Sequence, residues 1–104
     1  GVVLPFETVA LNGGAHIYHQ YTIRVKNRDK LAEGLSYAGI GNSVYYPLCL
    51  HQQECFSNLG YAGVEELCPN AVCAANQVLS LPIYPELSEA DQCRVVNTIG
   101  SLLA

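Results

Sequence analysis

The chain lacks methionine and tryptophan altogether, and only 13% of its 104 residues are charged. The missing methionine leaves two expectations open: an initiator trimmed before Gly1, or a chain cut from something longer. Scarce charge beside 50% apolar residues excludes a disordered polar chain. It also predicts that part of the surface is apolar and packs on another body. Basic residues are few, namely Arg24, Lys26, Arg28, Lys30 and Arg94, and the net charge is −4. Four of them flank a helix start and are interrupted by Asp29. A phosphate-tracking surface needs a denser basic stripe, so nucleic acid is excluded as a partner. No apolar run approaches the ~20 residues of a membrane span and no signal-peptide pattern opens the chain. Membrane is excluded as a partner, and a cytoplasmic location is the default expectation.

Cysteine is present but has no framework. Cys49, Cys55, Cys68, Cys73 and Cys93 form an odd set, which fits reduced thiols better than a disulfide scaffold. Their spacing with His51 matches no closed zinc pattern, so no metal is expected.

The length suits a single domain, 1–104, burying roughly 60–70% of its unfolded surface. Val2-Val3-Leu4-Pro5 reads as an edge strand limited by Pro5. Asn12-Gly13-Gly14 is a turn signal. From His16 to Val25, residues Ile17, His19, Tyr21, Ile23 and Val25 alternate with polar neighbours and predict a half-buried strand. A helix then starts near Asn27 or Arg28, buries Leu31, Leu35 and Ala38, and stops at Gly39 as its left-handed C′ residue. Ile40 to Tyr46 reads as a strand stopped by Pro47. Leu48 to Cys68 reads as a loop with one helical turn. Pro69 opens a helix running to about Leu79, with Ala71, Ala75 and Val78 inside. Ser88 caps the last helix, whose inner stripe is expected at Cys93, Val96, Ile99/Gly100 and Leu103. Alternating strands interleaved with three helices predict an α/β (α+β) two-layer sandwich. Helices cover one sheet face, and the other is wet or packed on a partner.

Three segments carry more than fold. They are His16-Ile17-Tyr18-His19-Gln20-Tyr21-Thr22-Ile23-Arg24-Val25, the stretch from Gly39 through Tyr45-Tyr46-Pro47-Leu48-Cys49-Leu50-His51 to Phe56, and Val78 through Leu81-Pro82-Ile83-Tyr84-Pro85-Glu86-Leu87. With Leu59-Gly60-Tyr61, Pro69, Ala71 and Ala75, they are collinear over nearly the whole chain. In that order the chain resembles the C-terminal small domain of the pyridoxal-phosphate (PLP)-dependent sugar aminotransferases, the DegT/DnrJ/EryC1/StrS family. The departures cluster. Tyr45 stands where the family has histidine, Cys49 where it has proline, and Gln52-Gln53-Glu54-Cys55-Phe56 where it has L-Q-P-x-Y.

The resemblance implies a mainly antiparallel sheet with about three helices on one face, like the small domain of fold-type I aminotransferases. It implies that Tyr45, Tyr46 and His51 lie nearest a nucleotide-sugar substrate. It also implies a partner, either an absent large domain or a homodimer mate, that carries PLP. This chain itself should hold no cofactor and no catalytic residue. Its two lysines, Lys26 and Lys30, lie in a charged strand-to-helix junction and read as solvated surface, whereas Schiff-base lysines are desolvated or set beside a second cation. The chain alone should therefore be inactive. The other reading is a non-catalytic, stand-alone interaction or dimerisation module that reuses this fold. Arg24 as a contact for a donor carboxylate and the seven tyrosines as a sugar-stacking surface are weighed against ordinary packing roles.

Overall fold

Ile23 and Leu79 sit opposite one another across an antiparallel strand pair, 1% and 0% exposed. The rest of the fold is built around that pair. The structure, a computed structural model, describes residues 1–7, 16–60 and 67–104. Strand β1 (Val2–Val3) pairs antiparallel with β2 (Tyr21–Val25), and β2 pairs antiparallel with β3 (Val78–Leu81), giving the order β1-β2-β3. The helices are α1 (Arg28–Tyr37), α2 (Pro69–Ala75) and α3 (Glu89–Leu103). Two 3-10 turns, Leu50–Gln52 and Glu54–Leu59, occupy the middle. The expected turn at Asn12-Gly13-Gly14, and Tyr61, lie outside the described residues. Among the described residues no helix is long and apolar enough to cross a membrane.

The strand alternation works as the period-2 pattern requires. Ile23, Val25 and Leu79 face α1 and α3, and with Leu31, Leu35, Ile40 and Val95 they form the core. Burying each large aliphatic side chain contributes about 1.5–3 kcal/mol. On the opposite sheet face Thr22 Oγ1 and Ser80 Oγ lie 2.8 Å apart, while Arg24 is exposed. Helices on the core face and polar groups behind make the expected α/β layering.

α1 forms where the spacing places it. Leu31 and Leu35 are buried and Gly39 adopts φ +71°, the left-handed residue that ends the helix. Gly34, a helix-weakening residue in isolation, has a reason: a Cβ there would meet Leu102 Cδ2 of α3 at 2.7 Å. Ser88 caps α3 as expected, accepting from the Asp91 N–H at 3.1 Å.

Four sequence expectations fail, each for a visible cause. The strand from His16 begins only at Tyr21. Tyr18 adopts φ +44° and its N–H donates to His16 Nδ1 at 2.9 Å, so the backbone turns before the strand and Ile17 is left exposed. The strand over Ile40–Tyr46 shrinks to a single bridge, Ser43 to Ser80. Asn42 Nδ2 donates back to the carbonyls of Ala32 and Ile40 and to Ser36 Oγ, tying the segment to α1 instead of the sheet. α2 ends at Ala75, not Leu79, because Val78–Leu81 pairs with β2; pairing overrides the local helical reading. The buried face of α2 is Val72 and Ala75, with Ala71 exposed.

The fourth concerns α3. Val95 is buried and Ile99 packs on the core, the latter as expected, while Cys93 and Val96 are exposed; Leu102 and Leu103 are both exposed, at 39% and 40%, with Leu102 beside Gly34. The helix is apolar on two stripes, and only its fit against Gly34 and the core selects between them.

Two arginines finish helices that carry no basic residue in their own last turns. Buried Arg28 donates from Nη1 to the carbonyls of Ala75 and Val78, at 3.1 and 3.0 Å, closing the end of α2. Arg94 of α3 donates from Nη2 to the carbonyl of Ala38, at the end of α1. Both satisfy carbonyls that a helix end leaves without an internal partner.

Candidate functional site

A groove of about 370 Å³ opens along the edge of β3, where the Ser43 bridge joins Ser80. Three segments wall it: His19 and Gln20 before β2, Gly41 to Ser43 with Tyr45, and Ser80 to Tyr84. The local causes are those given above. The turn at Tyr18 brings His19 and Gln20 over the sheet edge, Asn42 anchors its own segment to α1, and β3 runs out through Pro82. These are parts of the same three stretches that carry the family resemblance, distant in sequence and adjacent in space. A second, more apolar groove of about 440 Å³ lies between Tyr18, Tyr84, Leu87 and the Val95–Val96 side of α3. At its margin the Tyr18 phenol is raised above its ordinary value, first by hydrogen bonding to the Glu7 carboxylate, then by desolvation and the Glu7 charge.

Of the three expected sugar-facing residues, the structure brings one into the groove. Tyr45 lines it and is 55% exposed. Tyr46 is more exposed still and is not part of the wall. His51 sits half-buried in the 3-10 turn Leu50–Gln52, with Nε2 buried and without a hydrogen-bond partner among the described residues. Tyr46 and His51 thus stand apart from the groove. Residues that sequence reasoning did not join to Tyr45 are His19, Ser43, Asn42 and Tyr84. The signal that held them was the motif segments themselves, whose meeting point only the register reveals.

Arg24 is committed to packing contacts, donating from Nη2 to Cys73 Sγ at 3.3 Å and to Gln77 Oε1 at 3.1 Å. The five cysteines are unpaired. Among the described residues no three His, Cys, Asp or Glu side chains come together to hold a metal ion. Lys26 and Lys30 are solvent-exposed and line neither of these two grooves. They lack the desolvation a Schiff-base lysine needs, so the residues described do not fit PLP.

Comparison with known proteins agrees with the motif reading. The DegT/DnrJ/EryC1/StrS aminotransferase family profile matches residues 2–100. A pleiotropic regulatory protein of Geobacillus stearothermophilus is 48% identical over 95% of this chain and 25% of its own length. A UDP-N-acetyl-3-dehydro-alpha-D-glucosamine 3-aminotransferase of Acidithiobacillus ferrooxidans is 38% identical over 88% of this chain and 24% of its own. The chain therefore spans about a quarter of the length of these curated relatives. Among solved structures, Streptomyces venezuelae DesV in complex with a ketimine intermediate superposes with a TM-score of 0.80 at 33% identity, over 97% of this chain and 26% of that one. A match across residues 2–100, joined to a shared fold, places this chain in the DegT/DnrJ/EryC1/StrS aminotransferase family.

Proposed function

We propose that this chain is the C-terminal small domain of a PLP-dependent nucleotide-sugar aminotransferase. In that role it caps the sugar side of an active site whose lysine and cofactor belong to a longer polypeptide. The observation that carries the reading is the convergence of the three family-like segments on one groove, with Tyr45 in its wall. Tyr45, Tyr46 and His51 are the residues proposed to approach the sugar, and the cofactor is held by the large domain or a homodimer mate. On this reading the chain alone does not turn over. Its exposed lysines, and its span of a quarter of the relatives, support that.

The test is the native product. An antibody against the α3 segment should detect a protein about four times this chain's mass, given the 25% coverage of its relative. That product, purified, should transfer an amino group to a keto sugar nucleotide, and the 104-residue chain should not. A native product no larger than this chain would overturn the proposal. It would instead favour the second reading, a non-catalytic interaction or dimerisation module. That reading draws its support from the 48% identical relative named as a regulatory protein.

A further inference from the structure

The second groove, between the end of β3 and α3, has no part in the aminotransferase reading and does not rest on it. Tyr18, Tyr21 and Tyr84 line it, with Leu87, Val95 and Val96 among its apolar walls. The ring centroids of Tyr18 and Tyr21 are 5.3 Å apart and the rings are inclined at 51°, so they stand tilted to one another and are not stacked flat. Tyr18 reaches this place only through a left-handed backbone, φ +44°. Strain of that kind in a non-glycine residue gathers at ligand sites.

The charges beside these rings are of one sign. None of the lining residues is lysine, arginine or histidine. The Glu7 carboxylate accepts a hydrogen bond from the Tyr18 phenol. Glu86 is exposed, and it sits in the chain between Pro85 and Leu87, both of which line the wall. Aromatic faces attract cations through the ring quadrupole, and a carboxylate at the rim adds to that attraction.

That combination selects a ligand class. An anion would meet two carboxylates and no counter-charge, and would leave water without compensation. A neutral apolar molecule would use the walls and leave the acidic rim idle. A compact, strongly hydrated cation would lose more water than the rings replace. An alkylated ammonium spreads its charge over methyl groups, so it packs on Leu87, Val95 and Val96 while its charge faces the tyrosines. The volume of about 440 Å³ lies at the small end of ligand sites and suits one such head group.

We propose that this groove is a binding site for a small quaternary ammonium, held by Tyr18, Tyr21 and Tyr84 with the Glu7 and Glu86 carboxylates at its rim. The test is a titration of the ¹⁵N-labelled 104-residue chain, followed by amide chemical shifts at constant ionic strength. Choline is the cation, and 3,3-dimethyl-1-butanol is its neutral counterpart of the same shape. Choline should give saturable shifts at residues 18–21, 84–87 and 92–96, and none at 41–45. The neutral alcohol should bind about fivefold or more weakly. Tyr84 is 50% exposed, so its variants leave the core intact. Tyr84→Phe keeps the ring and should bind choline within about twofold of the parent, whereas Tyr84→Leu should lose about threefold or more. Glu7→Gln should weaken choline and leave the alcohol unchanged. The same cation also occurs on methylated lysine side chains, and an N-acetylated trimethyllysine amide separates that source. Its binding tenfold tighter than choline would support the cation site and assign it to a side chain of a partner. No saturable shift with choline overturns the proposal, as does equal binding of the alcohol. So does a Tyr84→Leu variant that binds choline as well as Tyr84→Phe, since the site would then be merely apolar.

Discussion

Arg94 Nη2 lies 2.6 Å from the carbonyl oxygen of Ala38, so α3 supplies the cation that the C-terminus of α1 lacks. The contact is exposed, and its worth is that of a surface helix-end interaction. Arg94→Ala should cost about 1 kcal/mol in urea unfolding, and Arg94→Lys about half of that. An unchanged midpoint for Arg94→Ala would show that water replaces the guanidinium at no cost.

Arg28 differs because it is buried. Its guanidinium serves two carbonyls from two elements, and removing it strands both. Arg28→Ala should destabilise by about 3 kcal/mol. Arg28→Lys should recover little, since a single ammonium lacks the planar fork. Its neighbour Asp29 pairs with Arg28 Nε but is 88% exposed, so Asp29→Asn should change stability by less than about 1 kcal/mol. Comparing the three midpoints separates carbonyl capping from ion pairing.

Gly34 and Leu102 should couple. In an open helix Gly→Ala gains about 1 kcal/mol. Here the added methyl would sit 2.7 Å from Leu102 Cδ2, and the leucine must move. Gly34→Ala alone should be near neutral. In a Leu102→Ala background the same change should stabilise by about 1 kcal/mol, a coupling that a double-mutant cycle reads directly.

Thr22 and Ser80 form a cross-strand hydroxyl pair at 2.8 Å, and Ser80 is buried. Ser80→Ala should cost about 1 kcal/mol, because Thr22 loses its partner. Adding Thr22→Val should recover most of that loss, since neither hydroxyl then remains unpaired. Thermal midpoints of the two single variants and the double variant test this.

Local pattern made much of this fold legible. α1, its Gly39 stop and the Ser88 cap follow from spacing and capping chemistry, which act within a few residues. The alternation of β2 was legible too, but not its length, because the turn at Tyr18 depends on one His16 hydrogen bond. Hidden features were those set by distant partners. Val78 and Leu79 read as the end of a helix until β2 is there to pair with them. α3 carries two apolar stripes, and only the gap at Gly34 selects the one containing Leu102. Tyr45 was legible as a site residue through the family-like motif. Its neighbours His19, Asn42 and Tyr84 were not, since nothing local brings those segments together.

The sheet's register carries a kinetic consequence. Arg24 pairs with Val78 and Tyr21 with Leu81, so the central ladder joins positions far apart in sequence. Closing that loop costs entropy before any ladder contact compensates. α1 can form from local contacts as soon as it is made, but the sheet must wait until β3 has been synthesised. Core formation is thereby a late event, since a nascent chain stopped before Val78 lacks Leu79 of β3 and Val95 of α3, which complete the core around Ile23 and Val25.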